Sequence, residues 1–348
     1  MTGEVRIEEK GGIGILVLDR PQALNALTLP MVETVSDALA RWRSDPAIRA
    51  VLIKAVPGRA FCAGGDIRRV IETAAAEGVE AGVRFLHEEY RMNWRIAHFG
   101  KPYIAVLDGI TMGGGVGISV HGTHRIATEN TLLAMPETGI GFFPDVGASH
   151  VLPRLPQRTG YYLGLTGARL DGATATRLGL ATHYVPALDV AAFEAELVGG
   201  GEIDALLARH SVEPAPGGLD VRAIAGHFAS DDLGRILASL AADDRPFAQE
   251  ALATLREKSP LSVAVTMAEL VRGRDLDLAS CLAMEYRMVN RFLEDSDFAE
   301  GVRALLIDKD KRPRWRHARI EDVPEATIEA CFAPLPAGEL TFDWEVRG

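Results

Sequence analysis

Residues 5–9 alternate apolar and polar side chains, residues 13–18 run apolar, and Gly11-Gly12 lies between them. That pattern predicts a β-hairpin. Asp19-Arg20-Pro21 then breaks the second strand, since proline offers no backbone donor to a ladder. Thr28 stands at an N-cap position with Pro30 in the first turn, so an amphipathic helix is expected to about residue 43. A buried-type strand follows at 50–55, then a helix capped by Asp66, a helix over 79–98, and a strand at 103–107 behind Pro102. After the turn Asp108-Gly109, short strands are expected near 124–127 and 132–134.

Strands thus alternate with helices to about residue 185, an α/β pattern. Beyond residue 188 the pattern becomes mostly helical, with an acidic interval bearing Pro and Gly at 212–220. Helices are expected at 252–258 and 261–272, separated by Ser259-Pro260, and at 278–293. The expected division is therefore a core over 1–187 and a mainly helical region over 188–348.

Composition narrows the function. A length of 348 residues calls for more than one small core, and 47% hydrophobic with 24% charged residues is that of a globular protein. The net charge of −11 argues against a nucleic-acid partner, which needs a basic face to displace counterions. Cys62, Cys281 and Cys331 are scattered and show neither a disulfide framework nor a zinc spacing, so no metal is expected. The opening MTGEVRIEEK lacks a basic stretch followed by an apolar one, and no apolar run is long enough to span a bilayer. A cytoplasmic protein without a membrane partner is the expectation.

The candidate chemistry centres on MPETGIGFFPDVG, residues 135–147, which sets Glu137 and Asp145 eight residues apart in an apolar run. Burial penalises the charged form of a carboxyl group and raises its pKa toward the range of a general acid or base. Two glycine-rich turns, Phe61–Asp66 (FCAGGD) and Gly113–Gly117 (GGGVG), each fall between a strand and an expected helix. Such turns leave N–H groups uncovered, and two of them can direct two donors at one oxygen, as an oxyanion hole does. Neither matches a phosphate loop. Blander readings stand beside these. Glu137 and Asp145 suit the first turn or cap of a helix, and Glu88 and Glu89 an ion-paired surface. Cys62 suits an apolar filler, Met112 packing, and His121 and His124 structural roles.

These residues carry a resemblance. Asp19-Arg20-Pro21 with 24–27 (LNAL), FCAGGD with Ile67, the 108–117 turn and the 135–147 segment resemble the crotonase (enoyl-CoA hydratase/isomerase) superfamily. Further segments, among them 165–169 (LTGAR), 284–287 (MEYR) and 300–310 (EGVRALLIDKD), are most similar to its 3-hydroxyisobutyryl-CoA hydrolase branch. The resemblance spans nearly the whole chain. It implies an α/β, crotonase-like spiral of repeated ββα units with a helical C-terminal region covering the active site. It further implies an oxyanion hole from the N–H groups of Gly65 and Gly114, and an acyl-CoA substrate held along Ala23, Leu24, Ala63, Asp66 and Ile67. Arg20 and Lys309 are candidates for the CoA 3′-phosphate. No cofactor is implied beyond the CoA of the substrate. A homo-oligomer is common in the family, although the C-terminal region can cover the usual contact surface.

Two departures bear on the reaction. Hydratases of the family use two glutamates. One matches Glu137, and the other falls at Gly117, which has no side chain. Asp145 stands where hydratases usually have glycine. The expected chemistry is therefore thioester hydrolysis with Glu137 as nucleophile or general base, Asp145 handling water or a proton, and Glu89 meeting a substrate hydroxyl. Enoyl-CoA hydration and silent acyl-CoA binding are the alternatives.

Overall fold

The computed structural model describes residues 3–336 and 338–345. The hairpin forms as expected, with β1 (Val5–Lys10) antiparallel to β2 (Ile13–Leu18) across a glycine pair that takes positive φ at both positions. Helix α1 (Leu29–Ser44) follows, but Thr28 makes no side-chain cap; its hydroxyl donates instead to Glu4. Then come β3 (Ala50–Ala55), β4 (Ala60–Cys62), α2 (Ile67–Glu77), α3 (Val79–Ala97), β5 (Tyr103–Leu107), β6 (Ile110–Met112) and α4 (Gly114–Val120). Strands β7 (His124–Ala127) and β8 (Leu132–Ala134) lead to α5 (Ala148–Val151), and β9 (Leu170–Asp171) and β10 (His183–Tyr184) close the series.

The strands form two sheets, ordered β1-β2-β3-β5-β7-β10 and β4-β6-β8-β9. Successive pairs contribute one strand to each sheet: β3 with β4, β5 with β6, β7 with β8. That repeat is the expected ββα spiral. The central strands β2, β3 and β5 of the first sheet are largely buried on both faces, which explains their nearly continuous apolar runs. Leu16, Leu18, Val51, Ile53, Tyr103 and Leu107 face the large core with α1. Their alternates Ile15, Val17, Leu52 and Val106 face a second core completed by Phe193, Leu197 and Leu207 of helices Ala187–Val198 and Ile203–His210. Gly14 lets Trp42 lie flat on the sheet, since a Cβ there would stand 2.6 Å from the indole.

The later helices behave differently. Pro260–Gly273 and Leu278–Glu294 pack against the loops that carry the candidate acids. Among the described residues no helix is long and apolar enough to cross a membrane.

Candidate active site

Strands β4 and β6 are parallel neighbours, so the turns leaving their C-terminal ends lie side by side. This brings together the two glycine-rich turns, whose Gly64 (φ +113) and Gly113 (φ +49) hold conformations that side chains rarely adopt. A Cβ built on Gly114 would stand 3.1 Å from the Gly65 nitrogen. Among the described residues neither the Gly65 nor the Gly114 N–H has an acceptor within the protein. Residues 23–27 run beside the first turn, with the Ala63 N–H donating to the Leu24 carbonyl and the Leu27 N–H to the Gly64 carbonyl. The buried Asn25 amide fixes that loop by donating to the Ala60 carbonyl. Ala23, Leu24, Ala63, Asp66 and Ile67 are left half-buried at the rim. A cleft of about 320 Å³ adjoins them, lined in part by Leu27, Asp66, Arg69, Arg84 and Phe85.

The three acids singled out by sequence meet at the second turn. Glu137 opens a single 3-10 turn after Pro136, and its Oε1 would lie 2.8 Å from a Cβ on Gly113. Glu89 projects from α3 so that its Oε1 occupies the place of a Cβ on Gly114. Asp145 accepts a hydrogen bond from the Tyr90 hydroxyl at 2.8 Å. All three are buried. Glu89 Oε1 and Glu137 Oε2 have no hydrogen-bond partner among the described residues. Burial, then the charge of Asp145, holds both glutamates well above the ordinary carboxylate range, with Glu137 adding to the effect on Glu89. Burial pushes Asp145 up to about 7, against the lowering effect of the Tyr90 hydroxyl. The site thus offers one carboxyl group, Asp145, able to exchange protons near neutrality, and two raised further by the charge of Asp145, beside two open N–H donors.

The loop carrying Glu137 and Asp145 is held by the C-terminal helices. Phe142 stacks on Phe298 at 4.3 Å, and Phe143 meets Phe292 edge-on at 5.0 Å. At its far end Val146 sits at φ +55, an outlier for a β-branched side chain that costs about 1–3 kcal/mol. A Cβ on Gly117 would stand 2.6 Å from the Val146 Cβ. The room for a side chain at position 117 is therefore filled from the Asp145 loop.

Other sequence candidates are placed elsewhere or tied down. The Arg20 guanidinium is engaged on three sides, by Glu4 and Asp66 at 2.9 Å and the Ala26 carbonyl at 2.9 Å, which leaves it no open face for a phosphate. Asp66 caps α2 through the Arg69 N–H while holding Arg20, so its carboxylate has a structural task. Lys309 is exposed at φ +57. Glu88 pairs with His87 at the edge of the helix, as the bland reading expects, whereas Glu89 one residue on is buried. Cys62 is buried and burial pushes its thiol up to about 12, which makes it a filler. Sequence reasoning missed Tyr90, Glu269 and the role of Glu285. Glu285 accepts from the Gly147 N–H (2.7 Å), the Ser149 N–H (3.0 Å) and the Ser149 hydroxyl (2.5 Å). Burial pushes it up to about 8 and holds Glu269, both of whose oxygens are unpartnered among the described residues, well above the ordinary range. Glu285 lies on an amphipathic helix and reads in sequence as one more surface charge, whereas Glu269 is the one acid of a helix that is apolar nearly all round.

Residues 13–332 match the family model described as enoyl-CoA hydratase/isomerase. The chain belongs to that family. Relatives within it span nearly the whole chain. The rat protein named 3-hydroxyisobutyryl-CoA hydrolase, mitochondrial, is 40% identical over 98% of this chain and 91% of its own length. The Arabidopsis thaliana protein named 3-hydroxyisobutyryl-CoA hydrolase 1 is 40% identical over 94% of this chain and 91% of its own. Among solved structures, a carnitinyl-CoA dehydratase from Mycobacterium thermoresistibile superposes with a TM-score of 0.94 at 41% identity, covering 99% of this chain and all of that one. An enoyl-CoA hydratase from Rhodobacter sphaeroides gives 0.92 at 43% identity, covering 98% and all of its own chain. The C-terminal helices are thus part of a shared architecture, and the names attached to that architecture differ in reaction.

Proposed function

We infer that this family member hydrolyses the thioester of a small hydroxyacyl-CoA, with 3-hydroxyisobutyryl-CoA of valine breakdown as the first substrate to test. The observation that carries this reading is the Val146 side chain over Gly117, with Asp145 beside it among the buried acids. Hydration in this family calls for a second glutamate at that position, and here the space is closed. The rat and plant relatives carry the hydrolase name across nearly their full length.

In this reading the thioester oxygen sits between the Gly65 and Gly114 N–H groups, which stabilise the negative charge that develops there. Ionised Glu137 attacks the thioester carbon. The C–S bond breaks, Asp145 gives its proton to the departing thiolate, and an acyl–Glu137 anhydride remains. Water then adds to the anhydride, Asp145 takes back a proton, and Glu137 and the free acid separate. In the shorter route Glu137 instead takes the proton of a water that attacks directly. Glu89, beside Gly114, meets the substrate hydroxyl. The cradle of Ala23, Leu24, Ala63, Asp66 and Ile67 receives the CoA, with Lys309 the more available cation for its 3′-phosphate. No cofactor is required, since each group belongs to the chain or the substrate. The three free, buried cysteines suit a reducing compartment, the cytoplasm in the simplest case; the rat relative's name says mitochondrial. A homo-oligomer is part of the proposal on the family's habit.

Thiol release from a panel of acyl-CoAs tests the reaction. Release from 3-hydroxyisobutyryl-CoA that is lost in Glu137→Gln supports hydrolysis. Loss of crotonyl-CoA absorbance without thiol release replaces it with hydration, and tight binding without turnover replaces both. Label recovered in Glu137 after turnover in oxygen-18 water marks the anhydride route.

A further inference from the structure

We propose that Glu285, assisted by His121, is a positioning residue: the two clamp the turn Asp145-Val146-Gly147 in its left-handed conformation and so aim Asp145 at the reacting thioester. This rests on the hydrolase reading above.

The turn is held from three elements. Tyr90 of α3 donates to Asp145, and His121, just past α4, donates from Nε2 to the Val146 carbonyl at 2.7 Å. Glu285 of helix Leu278–Glu294 takes the Gly147 N–H on one oxygen and both Ser149 donors on the other. Val146 between these points carries the strain, at φ +55. Such a conformation persists only where surroundings over-determine it, and it clusters at functional sites. Gly147 is needed there as well, at φ +84, because a Cβ would stand 2.6 Å from the His121 ring.

Stability alone does not account for Glu285. It is fully buried, and among the described residues none of its hydrogen bonds comes from a cation. A buried carboxylate of this kind is a poor stabiliser compared with an apolar side chain of similar volume. What it does supply is directional: both oxygens face N–H groups that begin two residues after Asp145. If the turn relaxed to negative φ, Val146 would leave its seat over Gly117 and Asp145 would lose the Tyr90 hydroxyl. The far side leaves little slack, since the cavity bounded by Asp145, Val146 and Ala148 holds only about 10 Å³, no more than one water.

Steady-state thiol release from 3-hydroxyisobutyryl-CoA is measured for wild type, Glu285→Gln, Glu285→Ala, Ser149→Ala and His121→Ala, with thermal melts alongside. The clamp predicts a kcat lowered about 100-fold in Glu285→Ala and about tenfold in Glu285→Gln, which keeps one acceptor, with KM held within about twofold. Ser149→Ala and His121→Ala, each removing one support, should lose less than Glu285→Ala. The same Glu285 changes are then made with Val146→Gly. Glycine adopts the turn without strain, so loss of Glu285 should lower kcat by less than about threefold in that background. Wild-type kcat in a folded Glu285→Gln, or equal losses with and without the Val146→Gly change, overturns the clamp. If wild type releases no thiol, the hydrolase reading fails, and the clamp is judged by amide hydrogen exchange at residues 146–149. Faster exchange in Glu285→Gln keeps it, and unchanged protection removes it.

Discussion

Glu137 and Asp145 share one loop but differ in what surrounds their oxygens. Glu137 has an oxygen with no partner among the described residues, whereas Asp145 is hydrogen-bonded to Tyr90. A bare carboxylate suits attack or proton abstraction, and a group titrating near 7 suits giving and taking one proton per cycle. Glu137→Gln should therefore lower kcat by about 10³-fold, and Asp145→Asn by about 10²-fold or more, while both proteins melt cooperatively. Thiol release and a thermal scan check this together, and full activity in either variant removes that residue from the mechanism. The pH profile follows from the same environments. Activity needs Glu137 ionised and Asp145 protonated together; burial raises both carboxyls and the charge of Asp145 raises Glu137 further, so the profile should be a bell lying above the ordinary carboxylate range. In Asp145→Asn the falling limb should disappear from the residual rate. A limb that persists unchanged would assign it to another group.

At the scale of elements, much was legible. Strands β2, β3 and β5 run almost wholly apolar, and their observed limits match those read from the pattern. The Gly turns were visible because close approach of backbones leaves glycine no substitute. The helices Pro260–Gly273 and Leu278–Glu294 were visible too, but not the polar atoms they bury: Glu285 looks like a solvated charge in an amphipathic pattern, and the single Glu269 in an apolar helix does not reveal which acids it lies among. Val146 was hidden for a different reason: a strained φ leaves no mark on residue type. That turn carries a prediction of its own. Gly117→Glu, which restores the second glutamate expected of a hydratase, places a side chain where Val146 already lies. Overpacking should destabilise it by about 1–3 kcal/mol in a urea titration, and crotonyl-CoA should not be hydrated. Adding Val146→Gly should recover part of the lost stability by opening the space. A fully stable Gly117→Glu would mean that the Val146 turn yields easily, which would also weaken the account of the clamp.

The whole molecule gathers acids from distant parts of the chain. Glu89 comes from α3, Glu137 and Asp145 from one loop, and Glu269 and Glu285 from two C-terminal helices; all five are buried. All five are held above their ordinary range by burial, and among the described residues no lysine or arginine offsets it. A carboxyl whose folded pKa lies above its unfolded value binds its proton more tightly in the native state. Its contribution is complete below about pH 4 and declines as pH rises through the folded pKa. For Asp145 and Glu285 that decline runs to about 7 and about 8. Surface pairs such as Glu300 with Arg303, whose carboxyl is lowered to about 2, act with the opposite sign and are lost only in stronger acid. The melting temperature should therefore peak near about pH 5 and fall toward pH 8. Glu269 isolates the effect, because among the described residues its oxygens have no partner to lose. Glu269→Gln should raise the melting temperature at pH 8 and change it little at pH 5, where the wild-type carboxyl already holds its proton. A gain of equal size at both pH values would show that charge is not the cause, and a loss at pH 8 would show that the carboxylate is ionised and paired. The same cluster then sets activity against stability, since the ionisation of Glu137 that the proposed chemistry needs is the one that the fold resists.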